Sequence, residues 1–282
     1  MEPTPIITSP LTTEDFAALA RAKELLESPS LTMKLASVVG APIEKLMGRL
    51  PAAAQEKVDD ATQLALKKCL QVALRTLGKS APSDSLLAPP PDKPHNLMHK
   101  LAVATTGAAG GAFGLFALPV ELPVTTTLMF RSICDIARSE GEDVHRVEAQ
   151  LQCMMVLGMG GTKTDDDNAD LGYFIVRGAL AQSVSRATNE IAAKGLSSHG
   201  STALLKFLQT VASRFSVQVS EQVAAKSIPA IGAVLGAMVN TVFIDHFQQM
   251  AHGHFTVRRL ERRYGASAVE RAYQTIEVIG GR

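Results

Sequence analysis

His246, His252 and His254 follow Asp245 within a ten-residue stretch of the 282-residue chain. Imidazole and carboxylate together are the donor set of a zinc or iron site. Helical geometry limits how they can combine. His246 and His252 are six positions apart, about 600° of helix rotation, so they point away from one another. His252 and His254 could chelate together only if Gly253 breaks the helix. Asp245 and His252 are seven apart and share a face. With Glu121 or Asp135 added from a neighbouring helix, this set describes a metal-dependent hydrolase whose ion activates water at neutral pH. The competing reading is a group of helix-end histidines that cap or pair with carboxylates, with no cofactor.

Other polar residues have the chemistry to bind. Glu121 lies between Pro119 and Pro123, beside the most apolar stretch. If buried, an ionised carboxylate needs a partner. Arg131 and Asp135 are four apart on the following helix, so they can pair with each other, or Arg131 can reach back to Glu121 and frame an anion or headgroup site. Ser220 and Glu221 fall in mid-helix without a GxSxG elbow, which leaves them as binding candidates rather than a nucleophile. Cys134 and Cys153 lie among apolar residues and are expected to stay thiols. The run GMGGTKTDDDNAD from Gly158 lacks the spacing of an EF-hand loop and reads as a solvated turn that caps the next helix. No catalytic constellation is complete.

Composition narrows the function classes. Lys and Arg number 28 against 27 Asp and Glu, for a net charge of +1. That excludes an acidic tail and argues against nucleic acid as a partner. The chain is 46% hydrophobic but only 5% aromatic, with no Trp, so its core must be built from aliphatic side chains. Three well-separated cysteines form neither a disulfide framework nor a zinc module, which places the chain in a reducing compartment, the cytoplasm. The first ten residues read as a flexible N-terminus without a secretory signal.

Apolar periodicity predicts helices almost throughout, over Thr12–Ser28, Ser30–Val39, Ala52–Leu77, His95–Ala117, Val124–Ser139, Glu142–Leu157, Asn168–Lys194, Ser201–Ser227, Pro229–Ala251, His254–Tyr264 and Ala266–Ile279. No segment alternates as a strand would. The fold class is all-α, a helical bundle, read as one unit over residues 11–279 with a Pro-rich loop or linker at 80–94. Two stretches, Leu101–Val120 and Ile228–Ile244, carry no charge. Gly107, Gly111 and Gly114 mark the first, and Gly232 and Gly236 the second. Several glycines in a helix cost about 1 kcal/mol each and are usually repaid by close backbone approach. These helices therefore form the centre of the bundle, contact a membrane reversibly, or span it. Arg258, Arg259, Arg262 and Arg263, with Val257, Leu260 and Tyr264 as an apolar edge, form a short basic amphipathic helix suited to an anionic membrane surface. Glu261 and Glu270 are partners that would neutralise it.

Several strings are similar to one family: LPVELP from Leu118, RSICDIA from Arg131, Arg214-Phe215, Ser220-Glu221 with Ala224-Ala225, Pro229 with Gly232-Ala233, DHFQ from Asp245, and GHFTVRRLE from Gly253. Over Leu11–Tyr273 the chain resembles the EcsC family. The resemblance implies a bacterial protein associated with an ABC transporter, and it implies no reaction. The expected function is non-catalytic binding or regulation at an anionic membrane surface, at a lipid or at a transporter subunit, from the cytoplasm or the periphery of the inner membrane. The metal-dependent hydrolase and a homo-oligomeric scaffold joined through the glycine faces are the alternatives.

Overall fold

Thr12 starts the first helix as its sequence suggests, because its hydroxyl accepts the Asp15 amide at 3.2 Å and satisfies an otherwise unpaired donor. The computed structural model describes residues 11–76, 118–160, 169–194, 201–227 and 233–276. Helix α1 covers Thr13–Leu26. Ser30 caps α2 (Leu31–Val39), which ends at Gly40 in the left-handed conformation, φ 68°. A five-residue helix, α3 (Ile43–Met47), precedes α4 (Ala52–Thr76). There follow α5 (Leu118–Ser139), α6 (Val147–Leu157), α7 (Ala169–Lys194), α8 (Thr202–Lys226), α9 (Ala233–Tyr264) and α10 (Ala266–Thr275). The fold is all-α, with no strand among the described residues. The Pro-rich segment 80–94, Gly107, Gly111, Gly114 and Gly232 lie outside those residues, while Gly236 is buried on α9.

Two boundaries differ from expectation. Helix α5 begins at Leu118 and runs through Pro123. A proline so near a helix start removes only one intrahelical bond. One turn on, the Thr127 hydroxyl donates back to the Pro123 carbonyl at 2.7 Å. The two helices expected on either side of His252 and Gly253 are one helix, α9, of 32 residues. At 1.5 Å per residue it is about 48 Å long and forms the spine of the bundle. Val239, Phe243, Phe247, Ala251 and Phe255 recur every fourth position along it and are all fully buried. Phe215 of α8 packs edge-on against Phe247, with ring centroids 5.5 Å apart.

Gly253 is where α1 crosses this spine. A Cβ placed there would lie 2.5 Å from Leu26 Cγ and 3.0 Å from the Ala22 carbonyl. One helix turn away on α1, Lys23 is wholly buried. Its ammonium donates to the carbonyls of Tyr273 (3.2 Å) and Ile276 (2.7 Å) and lies over the Tyr273 ring, which ties α1 to the end of α10. Lys23→Ala would leave those carbonyls unmatched and open a cavity, so a loss of about 3 kcal/mol is expected from urea unfolding at constant m-value.

Candidate functional site

Helix α8 carries a polar side chain at every fourth position from Arg214 through Gln218 and Gln222 to Lys226. That spacing keeps all four on one face, and the face lies inside the bundle. Arg214 Nε donates to the Gly158 carbonyl at 2.6 Å. Gln222 donates to Asn240 Oδ1 at 2.7 Å. Asn240 donates to Glu121 Oε1 at 3.1 Å, and Lys226 Nζ reaches the same oxygen at 2.5 Å. Burial holds the Lys226 pKa below its ordinary value, and the Glu121 carboxylate works against that. Gln218 is the exception. It is fully buried, and neither end of its amide has a hydrogen-bond partner among the described residues.

This row corrects one expectation. The partners of Glu121 are Lys226 and Asn240, not Arg131, which is exposed on α5. Asp135 lies 3.7 Å from Arg138. Ser220 donates back to the Ser216 carbonyl at 2.8 Å and across to Gln55 at 3.0 Å. Glu221 is buried and accepts the Thr32 hydroxyl at 2.8 Å. Burial raises its pKa, the Thr32 bond opposes the rise, and Glu44 adds to it.

The histidines do not converge. Because α9 is unbroken at Gly253, His252 and His254 cannot turn toward a common ion. His246 meets the end of α6, with Nε2 3.3 Å from the Gly160 carbonyl and Nδ1 without a partner among the described residues. Burial, with Lys34 nearby, pushes its pKa down to about 4. Asp245 accepts Gln249 at 2.8 Å. His254 contacts the Tyr173 hydroxyl at 3.0 Å and Gln152 Oε1 at 3.2 Å, so both ring nitrogens are engaged. Burial, with Arg177 and Arg258 close by, holds its pKa well below the ordinary value. Among the described residues no three His, Cys, Asp or Glu side chains are placed to share a metal ion. The hydrolase set is therefore dispersed over separate structural contacts.

The four arginines are the last two turns of α9, and each faces carboxylates from elsewhere. Arg258 bonds Glu142 at 2.7 Å and lies 3.5 Å from Glu148. Arg259 bonds Glu140 at 2.8 Å, Arg262 bonds Glu142, and Arg263 pairs with Asp15 at 3.0 Å. Gly141, at φ 83°, makes the turn that delivers Glu140 and Glu142. Glu261 bonds Arg177 of α7 at 2.7 Å instead. Four positive charges thus stand against Asp15, Glu140, Glu142 and Glu148, and the segment offers little net field.

The opposite end of α9 is apolar. The first turns of α5 and α9 and the last turn of α8 meet there, joined by the Glu121, Lys226 and Asn240 cluster. Val120 and Val124 on α5 and Val234 and Met238 on α9 each form an i,i+4 pair. They are 72%, 46%, 75% and 46% exposed. No helix of the described residues is long and apolar enough to cross a membrane. Elsewhere, a cleft of about 620 Å³ opens between α4 and α8, within the range of small-molecule sites. Sequence reasoning missed it, although Gln55, Asp59, Gln63 and Lys67 already repeat every four residues along its α4 wall.

The EcsC protein family model matches residues 14–260, most of the chain. The chain belongs to that family. No curated protein and no solved structure matches it. The EcsC match takes in the α8 polar row, His246, His254 and the Glu121 cluster, and it ends before Arg262 and Arg263.

Proposed function

We propose that this EcsC-family chain is a non-catalytic binding protein that docks on a lipid bilayer through the apolar end of the bundle. The observation that carries the reading is the set of four exposed apolar side chains, Val120, Val124, Val234 and Met238, on two adjoining helix starts. Contiguous exposed apolar surface marks an interaction site. Those starts are also where the uncharged stretches Leu101–Val120 and Ile228–Ile244 meet the described bundle. The transporter association that the family resemblance implies supports the same location. The pairing of Arg258, Arg259, Arg262 and Arg263 with carboxylates argues that the contact is apolar rather than electrostatic.

Vesicle flotation tests this. The protein is expected to float with phosphatidylcholine vesicles containing an anionic phospholipid, and to remain bound at high salt, because screening acts on charges and not on apolar burial. Val120→Glu with Val234→Glu changes exposed positions, so folding is retained, and it lowers partitioning at least about tenfold. Flotation abolished by salt would move the contact to the arginines. No flotation in any lipid would end the bilayer reading.

A further inference from the structure

The three cysteines are far apart in sequence, and the fold brings them to one place. Cys134 of α5 and Cys153 of α6 face each other across a tight helix pair, in thiol-to-thiol hydrogen-bonding contact. The Cys134 sulfur also lies 3.8 Å from Gln150 Oε1, one turn before Cys153 on the same helix. Cys69 of α4 approaches from the other side, with its thiol 3.6 Å from the Thr126 carbonyl. All three are free thiols. Their accessibility differs, since Cys69 and Cys153 are fully buried and Cys134 is half-exposed.

We propose that Cys134 and Cys153 form an oxidant-sensitive thiol pair that a hydroperoxide converts to an intramolecular disulfide between α5 and α6. The half-exposed sulfur reacts first. The Cys134 thiolate attacks one oxygen of hydrogen peroxide, the O–O bond breaks, one water leaves, and Cys134 becomes a sulfenic acid. The Cys153 sulfur then attacks the Cys134 sulfur. The S–S bond forms, the S–O bond breaks, and the hydroxide leaves as a second water with the Cys153 proton. Two thiols have lost two electrons and two protons to one peroxide. Burial raises the Cys153 thiol pKa strongly, so its thiolate is scarce and the second step is slow. Contact between the sulfurs offsets this by making the step unimolecular. The bridge closes the segment that carries Glu140 and Glu142, and so fastens the turn that holds Arg258 and Arg262.

The test uses the full chain, reduced and then exposed to graded hydrogen peroxide before alkylation under denaturing conditions. Free thiols are expected to fall from three to one, with the chain losing the mass of two hydrogens. Trypsin should release the Ser132–Arg138 peptide joined to the Val147–Lys163 peptide, and dithiothreitol should separate them. Cys69→Ser should give the same joined peptides. Oxygen added to Cys134 without a bridge, a bridge to Cys69, a dimer linked through Cys134, or no reaction would each overturn the pairing.

Discussion

Gly253→Ala is expected to lower the stability of the protein by about 2 kcal/mol, and Gly253→Val by more. In an ordinary helix interior the first substitution would help, because alanine is favoured over glycine by about 1 kcal/mol. Gly178 on α7 is such a position, where an added Cβ would meet nothing within 4 Å, so Gly178→Ala should stabilise. At Gly253 the new Cβ would lie 2.5 Å from Leu26 Cγ and 3.0 Å from the Ala22 carbonyl. Leu26 is itself buried, and the carbonyl belongs to the α1 backbone. Neither can yield without shifting α1 off the spine. Urea unfolding of both variants reads the opposite signs directly. Leu26→Ala costs about 3 kcal/mol alone, but combined with Gly253→Ala it should cost clearly less than the sum, because each change fills or vacates the other's space. Additive losses, or stabilisation by Gly253→Ala, would show that the crossing is not so close.

This glycine shows where the sequence stops being legible. Flanked by His252 and His254, it reads locally as a helix end. Its role is set by Leu26, which no local pattern connects to it. The periodic features were readable because they are local. Thr12 and Ser30 as caps, Gly40 as a terminator, and the fourfold recurrence of Val239, Phe243, Phe247 and Ala251 all follow from helix geometry. Partnerships were not readable. The basic residues of α9 could be seen, but nearby Glu261 turns to Arg177 while Asp15, Glu140, Glu142 and Glu148 arrive from distant elements. Glu121 was visible as a carboxylate in need of a cation, yet Lys226 was identifiable only as the end of a polar row on α8. The spacing of Arg214, Gln218, Gln222 and Lys226 was there to find. Polar residues every four positions usually mark a solvated helix face, and only the packing shows that this one is internal.

The protein should lose stability as pH falls from about 6.5 toward 4, and the two buried histidines should account for it. His246 has a pKa of about 4 in the folded chain against 6.5 as its ordinary value. Between those limits the unfolded chain binds a proton that the folded chain does not, so stability rises with pH across the window. The contribution is complete above 6.5 and is lost as pH approaches 4. A shift of this size corresponds to about 3 kcal/mol, at a slope of about 1.4 kcal/mol per pH unit for one proton. The groups facing His246 are Lys34 of α2, which opposes its protonation, Asp245 on its own helix, which favours it, and the Gly160 carbonyl. His254 shifts in the same direction, so the slope should exceed that of a single proton in the upper part of the window. Glu221 acts oppositely. Its raised pKa means that the folded chain takes up a proton before the unfolded chain does, which returns some stability near its ordinary value of 4.5. Asp15, with its pKa lowered chiefly by the Tyr264 hydroxyl, enters only below its ordinary value of 3.8. Urea unfolding at closely spaced pH values measures the slope. His246→Gln can keep a contact to Gly160 while removing the titration, and it should reduce the slope by about one proton. A stability that stays flat from about pH 7 to 4.5 would mean that both imidazoles are protonated without cost, and therefore that water reaches them inside the bundle.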